Sequence, residues 1–118
     1  LKRVKNHKSV PLLSQIAAVA ALDDVAYMKK FVNEVEAAKQ TFIRELNMLP
    51  WIVSVKSGAG NFCLFKCEVD TISRLSEYLE DRKVFIRSFA HLPDQARITI
   101  GTASQMSLVA NIFQEFCP

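Results

Sequence analysis

Residues 96–102, Ala-Arg-Ile-Thr-Ile-Gly-Thr, are the stretch from which the fold is best predicted. Isoleucine and threonine favour a β-strand, and side chains alternate between the two faces of a sheet. Ile98 and Ile100 are therefore expected on the core side. Arg97 and Thr99 then lie on the opposite face. The stretch predicts a strand that fixes an arginine on a rigid element, where a guanidinium is well placed to bind an anion.

The composition is typical of one globular domain. The chain has 118 residues and 50% of them are hydrophobic, which is enough for a single core. Its longest apolar run, residues 16–22, is too short to cross a membrane, and the chain opens with no signal segment. We therefore expect a soluble, cytoplasmic protein. Because the chain begins with leucine and not methionine, we also expect it to be a piece of a longer one.

The net charge of +3 is concentrated at the start of the chain, so it does not indicate a nucleic-acid partner. The polar face of the second predicted helix mixes both signs of charge, which argues against a membrane surface as a partner. Four positive charges stand together near the start, and the rest of the chain is nearly neutral. A basic face for nucleic acid is therefore not predicted. The basic residues of the opening cluster are Lys2, Arg3, Lys5 and Lys8.

Apolar spacing predicts four helices. The first follows Pro11, is apolar on most sides, and is expected to be buried by several neighbours. The second begins at a cap on Asp23 or Asp24 and runs to about residue 48. Its apolar stripe is expected on the core and its polar face in solvent. The predicted stripe is Val25, Met28, Val32, Val35, Phe42, Ile43, Leu46 and Leu49, and the polar face includes Lys29, Lys30, Glu34, Glu36, Lys39 and Glu45.

The second half of the chain predicts a small sheet and two more helices. Residues 51–57 and 61–67 form a hairpin or neighbouring strands, and residues 84–89 and 96–101 give two further strands joined by a loop over residues 91–94. Asp70 is expected to cap a helix to about Arg82. Thr102 and Gln105 form a capping box for the last helix. The fold class is therefore α+β, with a sheet of about four strands covered by helices.

No metal site or nucleophile motif is present in the sequence. Cys63, Cys67 and Cys117 lack metal-ligand spacing, and all three are expected to be reduced packing residues. His91 is interpreted as an exposed loop residue, since no Cys, Asp or Ser is arranged around it, and His7 likewise has no functional context.

Four segments together are similar to one known family. They are residues 14–24 (SQIAAVAALDD), 60–66 (GNFCLFK), 84–89 (VFIRSF) and 96–102 (ARITIGT). In this order they resemble the C-terminal small domain of fold type I pyridoxal-phosphate-dependent aminotransferases, most of all the histidinol-phosphate aminotransferase group. The resemblance covers essentially the whole of residues 1–118, which we interpret as one such small domain.

The resemblance implies an anion-binding role for two arginines. Arg97 would hold the anionic end of the substrate, and Arg87 would assist by reaching toward a phosphate. The alternative is that each arginine pairs with a nearby carboxylate. Asn61 either aims its amide at a ligand or only hydrogen-bonds the turn before it. No catalytic residue is expected within this chain.

The chain also departs from the family pattern. Gly60 stands where alanine is usual, residues 103–105 differ from the family's continuation, and the loop between Arg87 and Arg97 is short. The large domain, with its Schiff-base lysine, is missing. None of the lysines at positions 2, 5, 8, 29, 30, 39, 56, 66 or 83 has the expected sequence context.

The implied reaction belongs to the complete enzyme. It would transfer an amino group between a phosphate- or carboxylate-bearing amine and a 2-oxo acid, using pyridoxal phosphate bound mainly by the absent domain. Family members are usually homodimers. This chain alone is expected to be inactive. The alternatives are a related amino-acid-phosphate decarboxylase of the same fold and a non-catalytic binding module, and the sequence upstream of Leu1 would discriminate between enzyme and module.

Overall fold

The computed structural model describes residues 10–118, apart from the side chain at position 69. It confirms the α+β class, with four helices and one four-stranded antiparallel sheet in the order β1-β2-β4-β3. The elements, in chain order, are α1 (Leu12–Asp23), α2 (Val25–Asn47), β1 (Ser54–Ser57), β2 (Phe62–Lys66), α3 (Val69–Asp81), β3 (Arg87–Phe89), β4 (Leu92–Thr99) and α4 (Ala103–Glu115).

The described residues divide into two compact units after Val32. Residues 10–32 contain α1 and the start of α2. The helix predicted after Pro11 is present, but none of its residues is buried, contrary to the expectation of several packed neighbours. The reason is that burial on all sides needs surrounding elements, and this unit supplies only one further piece of helix.

Helix α2 begins where the sequence predicts. The Asp24 carboxylate accepts a hydrogen bond from the backbone N–H of Tyr27 at 3.0 Å, so Asp24, and not Asp23, is the cap. From residue 33 onward the predicted stripe is partly confirmed. Phe42 and Leu46 are fully buried. Val35, Ile43 and Leu49 are half-buried, whereas Val25, Met28 and Val32, in the first unit, are exposed.

The core of the second unit lies on one face of the sheet. Alternate residues of the two central strands point into it, among them Cys63 and Phe65 of β2 and Ile98 of β4. Phe113 of α4 packs at its centre, with ring centroids 5.6 Å from Phe65 and 5.9 Å from Phe42. Edge-to-face contacts of this kind add to the burial of apolar area. The sequence predicts an inner stripe for α4 of Met106, Val109, Ile112, Phe113 and Phe116. All of these are buried except Val109, which is half-buried.

Helix α4 begins at the capping box predicted from sequence. The Thr102 hydroxyl accepts a hydrogen bond from the Gln105 backbone N–H, and the Gln105 side chain accepts one from Thr102 N–H at 2.9 Å. A Cβ at Gly101 would collide with the Gln105 side-chain oxygen, so glycine leaves room for the cap.

The start of α3 differs from the sequence prediction. The helix follows Glu68, and Asp70 lies in its first turn without a side-chain cap bond. The physical reason is that a carboxylate in the first turn is already favourable near the positive end of the helix dipole, so Asp70 need not be the cap itself. Apolar spacing in this helix predicts that Ile72, Leu75, Tyr78 and Leu79 face inward. Ile72, Leu75 and Leu79 are buried, and Tyr78 is half-buried.

The last two strands also differ in length from the prediction. Strand β3 contains only Arg87–Phe89, and β4 already begins at Leu92, so the predicted loop shrinks to a turn at residues 90–91. Pro93 is tolerated in β4 because the register between β4 and β2 ends at Gln95, so its missing N–H removes no hydrogen bond from that ladder.

Two of the three cysteines are packing residues. Cys63 and Cys67 are buried, and burial raises the pKa of each thiol to about 11. Cys117 is exposed, so the prediction that it packs in the core is wrong. The reason is its place beyond α4, which ends at Glu115, where the chain leaves the core.

The cysteines give a first test of this packing. At pH 8 we expect a disulfide reagent to label Cys117 rapidly, and Cys63 and Cys67 only after the chain is unfolded. Above pH 9 the unfolded thiols ionise while the buried ones stay protonated, so the free energy of unfolding should fall as the pH rises toward 11. A Cys63→Ala/Cys67→Ala variant, followed by denaturant unfolding, should lose that part of the pH dependence. Rapid labelling of all three thiols in the folded chain would contradict the strand assignment.

Candidate functional site

The face of the sheet opposite the core carries the candidate site. Side-chain alternation places Arg97 and Thr99 of β4 on this face, as the sequence predicts. Their neighbours on β2 are Leu64, opposite Arg97, and Phe62, opposite Thr99. We call this surface, formed by Lys56, Phe62, Leu64, Lys66, Arg87, Gln95, Arg97 and Thr99, the open face.

The structure brings the two predicted arginines together. Arg87 of β3 and Arg97 of β4 are directly paired across the antiparallel strands. Side chains at such positions share a face, with Cβ atoms about 4.5–5.5 Å apart. The short turn at residues 90–91 makes this pairing possible, because it folds β3 back on β4.

Arg97 is held in a partly apolar setting. Its side chain is half-buried, and its Nε atom is buried without a hydrogen-bond partner among the described residues. Its Cζ atom lies 5.1 Å from the centroid of the Phe62 ring. A guanidinium over an aromatic face is attracted by the ring quadrupole. Arg97 is therefore positioned by packing, and its N–H groups retain hydrogen-bonding capacity for a ligand.

Neither arginine is neutralised by a carboxylate within residues 10–118. The two ion pairs in this part of the chain are Lys39 with Glu36 and Lys66 with Asp94. Arg87 is exposed, and its Cζ atom lies 5.5 Å from the Phe89 ring centroid. Two unpaired cations facing each other repel, and a bound anion would relieve that repulsion.

Asn61 lies at the end of β2 and not beside the arginines along the open face. Its carbonyl oxygen accepts a hydrogen bond from Ile100 N–H at 2.8 Å, which extends the ladder between β2 and β4. The side chain is exposed, and within the described chain its amide makes no hydrogen bond. The suggestion that this amide contacts a ligand stays a prediction.

Two residues of this region were assigned no role from sequence. Lys39 was expected on the solvent face of α2 but is buried, because its ammonium donates to the carbonyls of Gly58 and Gly60 at 2.9 and 3.2 Å. The ring of Phe62 contacts the guanidinium of Arg97. The alternation of β2 could have placed Phe62 on the open face, whereas no local pattern distinguishes Lys39 from its exposed neighbours.

Two further titratable side chains, Asp94 and His91, lie in or next to β4. The hydrogen bond from Lys66, at 2.7 Å, lowers the pKa of Asp94 below its usual range, and Lys66 is ion-paired with this carboxylate. His91 is exposed, as predicted, with its ring 5.9 Å from that of Phe89.

The settings of the described lysines bear on the expectation that the Schiff-base lysine lies outside this chain. A Schiff-base lysine must be deprotonated and unpaired. Lys39 is buried but already has three oxygen partners, and Lys66 is ion-paired. The other described lysines are exposed, and Lys2, Lys5 and Lys8 lie outside the described residues. That no catalytic residue lies within this chain stays a prediction.

Comparison with known proteins identifies the family. The sequence matches the family described as aminotransferase class I and II over residues 1–113. The chain belongs to the class I and II aminotransferases. This family normally uses pyridoxal phosphate, and its substrates are small amino-acid-like molecules.

The relatives that resemble this aminotransferase chain carry two different activity names. It is 43% identical to the dihydroxyacetone phosphate transaminase of Campylobacter jejuni, over 98% of this chain and 32% of that protein. It is 32% identical to the histidinol-phosphate aminotransferase of Geotalea daltonii, over 90% of this chain and 30% of that protein. The chain thus spans about a third of the length of the curated relatives it matches.

A solved structure supports the fold. The chain superposes on the histidinol-phosphate aminotransferase of Clostridium acetobutylicum with a TM-score of 0.81 and 24% identity, covering 94% of this chain and 34% of that one. This likeness confirms the aminotransferase architecture. No helix within residues 10–118 is long and apolar enough to cross a membrane.

The facing arginines make a testable electrostatic prediction. Like charges directly opposite each other destabilise a sheet, so Arg87→Gln should raise the free energy of unfolding at low salt by a few tenths to about 1 kcal/mol. The gain should shrink in 1 M NaCl, where charges are screened. Denaturant unfolding at both salt concentrations measures this.

The control is Arg74→Gln, which removes an exposed arginine from α3. It should leave stability unchanged or slightly lower at either salt concentration. A clear loss of stability in Arg87→Gln at low salt would show that Arg87 has a stabilising partner, and that the repulsion argument is wrong.

Proposed function

We propose that this chain is the C-terminal part of a pyridoxal-phosphate-dependent aminotransferase and that Arg97 and Arg87 bind the phosphate of its substrate. The observation that carries the proposal is the direct pairing of Arg87 and Arg97 on β3 and β4, with no carboxylate partner within the described residues. Guanidinium groups suit this task because their planar N–H donors match phosphate and carboxylate oxygens.

In this proposal the chain binds the phosphate of the substrate and orients the substrate. Arg97, fixed on the ring of Phe62, would bind two oxygens of the phosphate, and Arg87 would contact the same group from the neighbouring strand. Holding the distal end of a substrate on a rigid sheet orients its reacting end, which lowers the entropic part of the barrier. The cofactor supplies the electron sink of transamination and would be held outside this chain.

Histidinol phosphate is the first candidate substrate class, because the resemblance in sequence and the relatives named for it point to a phosphate monoester of a small amine. A second candidate is favoured by the 43% identity to a protein named for dihydroxyacetone phosphate. Both molecules carry a phosphate monoester, so the same arginines serve either one. Activity of the full-length protein with histidinol phosphate as amino donor, or with dihydroxyacetone phosphate as amino acceptor, would distinguish them.

The other proposals come from the resemblance. Residues 1–118 would form one small domain, the complete enzyme would be a cytoplasmic homodimer, and Asn61 would contribute to substrate binding. A decarboxylase of the same fold would need the same anion site, and it would release carbon dioxide where the aminotransferase consumes a 2-oxo acid.

The arginine roles are tested by conservative substitution in the full-length protein. Arg97→Lys keeps the charge but loses the two-pronged donor, so kcat/KM for a phosphate-bearing amine should fall by roughly ten- to a thousandfold while Tm changes little. Arg87→Lys should cause a smaller loss, confined to substrates with phosphate. Steady-state kinetics and thermal melts measure both. A sharp fall in Tm with unchanged kcat/KM would instead make Arg97 a structural residue.

The division of labour between this chain and the rest of the protein is tested with the cofactor. The 118-residue chain, mixed with stoichiometric pyridoxal phosphate and reduced with borohydride, should yield no adduct at one defined lysine and no turnover. Peptide mass spectrometry reports the adduct. A single modified lysine accompanied by transamination would place the catalytic lysine within this chain and refute the assignment.

A further inference from the structure

Gly60 is packed against the ring of Phe62. A Cβ atom at position 60 would lie 2.7 Å from Cε1 and 3.1 Å from Cδ1 of that ring, closer than such atoms approach in real structures. The backbone at Gly60 does not have a positive φ. A side chain at position 60 would therefore displace the Phe62 ring, which occupies the volume that it would fill.

The same ring supports Arg97. Phe62 is paired with Thr99, so Arg97 is its diagonal neighbour on the open face, within reach of an aromatic side chain. The Arg97 Cζ atom lies 5.1 Å from the ring centroid, and its buried Nε makes no hydrogen bond within the described chain. Within the described chain the ring is thus a contact that can orient the guanidinium where no hydrogen bond at Nε does so.

Lys39 holds Gly60 in place. Its ammonium has three N–H donors, and the structure gives it three oxygen partners, namely Gly58 O, Gly60 O and the Glu36 carboxylate at 2.6 Å. The side chain is 3% exposed. A buried cation with every donor satisfied is not available to a ligand. Lys39 therefore ties the turn between β1 and β2 to helix α2.

We propose that Gly60 is a positioning residue for Arg97, acting through the ring of Phe62, and that Lys39 fixes Gly60 against that ring. The geometric part of this proposal concerns only the direction of the Arg97 side chain. Its consequence for phosphate binding rests on the proposed function. The two parts therefore need separate measurements.

The geometric part is tested by NMR on the 118-residue chain. A guanidinium over a ring places its side-chain protons in the ring current, which shifts the Arg97 Hδ and Hε resonances upfield. Gly60→Ala should displace the Phe62 ring and reduce this shift. Gly58→Ala is the matched control, because a Cβ there meets nothing within 4 Å, and it should leave the resonances unchanged. An unchanged Arg97 shift in folded Gly60→Ala would overturn the proposal.

The binding part is tested with inorganic phosphate. Gly60→Ala should weaken its affinity by about two- to tenfold, the order expected when a cation–π contact is lost, and Gly58→Ala should not. Arg97→Lys is titrated alongside. If Arg97→Lys leaves phosphate affinity unchanged, the proposed function fails, while the NMR result still decides the positioning of Arg97.

Two further variants test whether Gly60, Phe62 and Lys39 act through the same contact with Arg97. Phe62→Leu removes the ring without touching the turn, and adding Gly60→Ala to it should cause no further loss of phosphate affinity, because the two residues act on one contact. Additive losses would overturn the proposal. Lys39→Met, which keeps the length of the side chain but removes its donors, should reduce the Arg97 shift as Gly60→Ala does. An unchanged Arg97 shift in Lys39→Met would show that Lys39 has no part in positioning Arg97.

Discussion

Side-chain alternation along β2 and β4 is the constraint on which the rest of the second unit depends. One set of residues, including Phe65 and Ile98, enters the core and packs against the helices. The other set stands on the open face. A shift of one residue in register would bury Arg97 and expose Ile98, so the same pairing that assembles the core also fixes where the cations lie.

The open face owes its chemistry to incomplete charge neutralisation. Lys66 is paired with Asp94, whereas Arg87 and Arg97 face each other without a carboxylate in the described part of the chain. Such an arrangement costs stability, and a folded domain retains it most readily where a ligand supplies the missing negative charge. Under the proposed function, that ligand is the phosphate of the substrate.

Local sequence patterns predicted most of the fold. Period-two alternation around Ile98, the box at Thr102 and the cap at Asp24 are short-range signals, and each is confirmed. Two predictions failed because the outcome depends on residues outside the local pattern. Lys39 is buried by a turn 19 residues away, and the apolar helix α1 is exposed because its burial needs elements that residues 10–32 do not contain. The family resemblance, and not a local pattern, pointed to Arg87 and Arg97. Their direct pairing could be recognised only from the strand register.

The central claim is that Arg87 and Arg97 together form a phosphate site. Thermal unfolding of the 118-residue chain in sodium phosphate and in sodium chloride of equal ionic strength tests it most directly, since a ligand that binds only the folded state raises Tm. The account predicts that phosphate raises the Tm of the wild-type chain above its value in chloride and that an Arg87→Gln/Arg97→Gln variant loses this difference. An equal phosphate effect in both proteins, or none in the wild type, would contradict it.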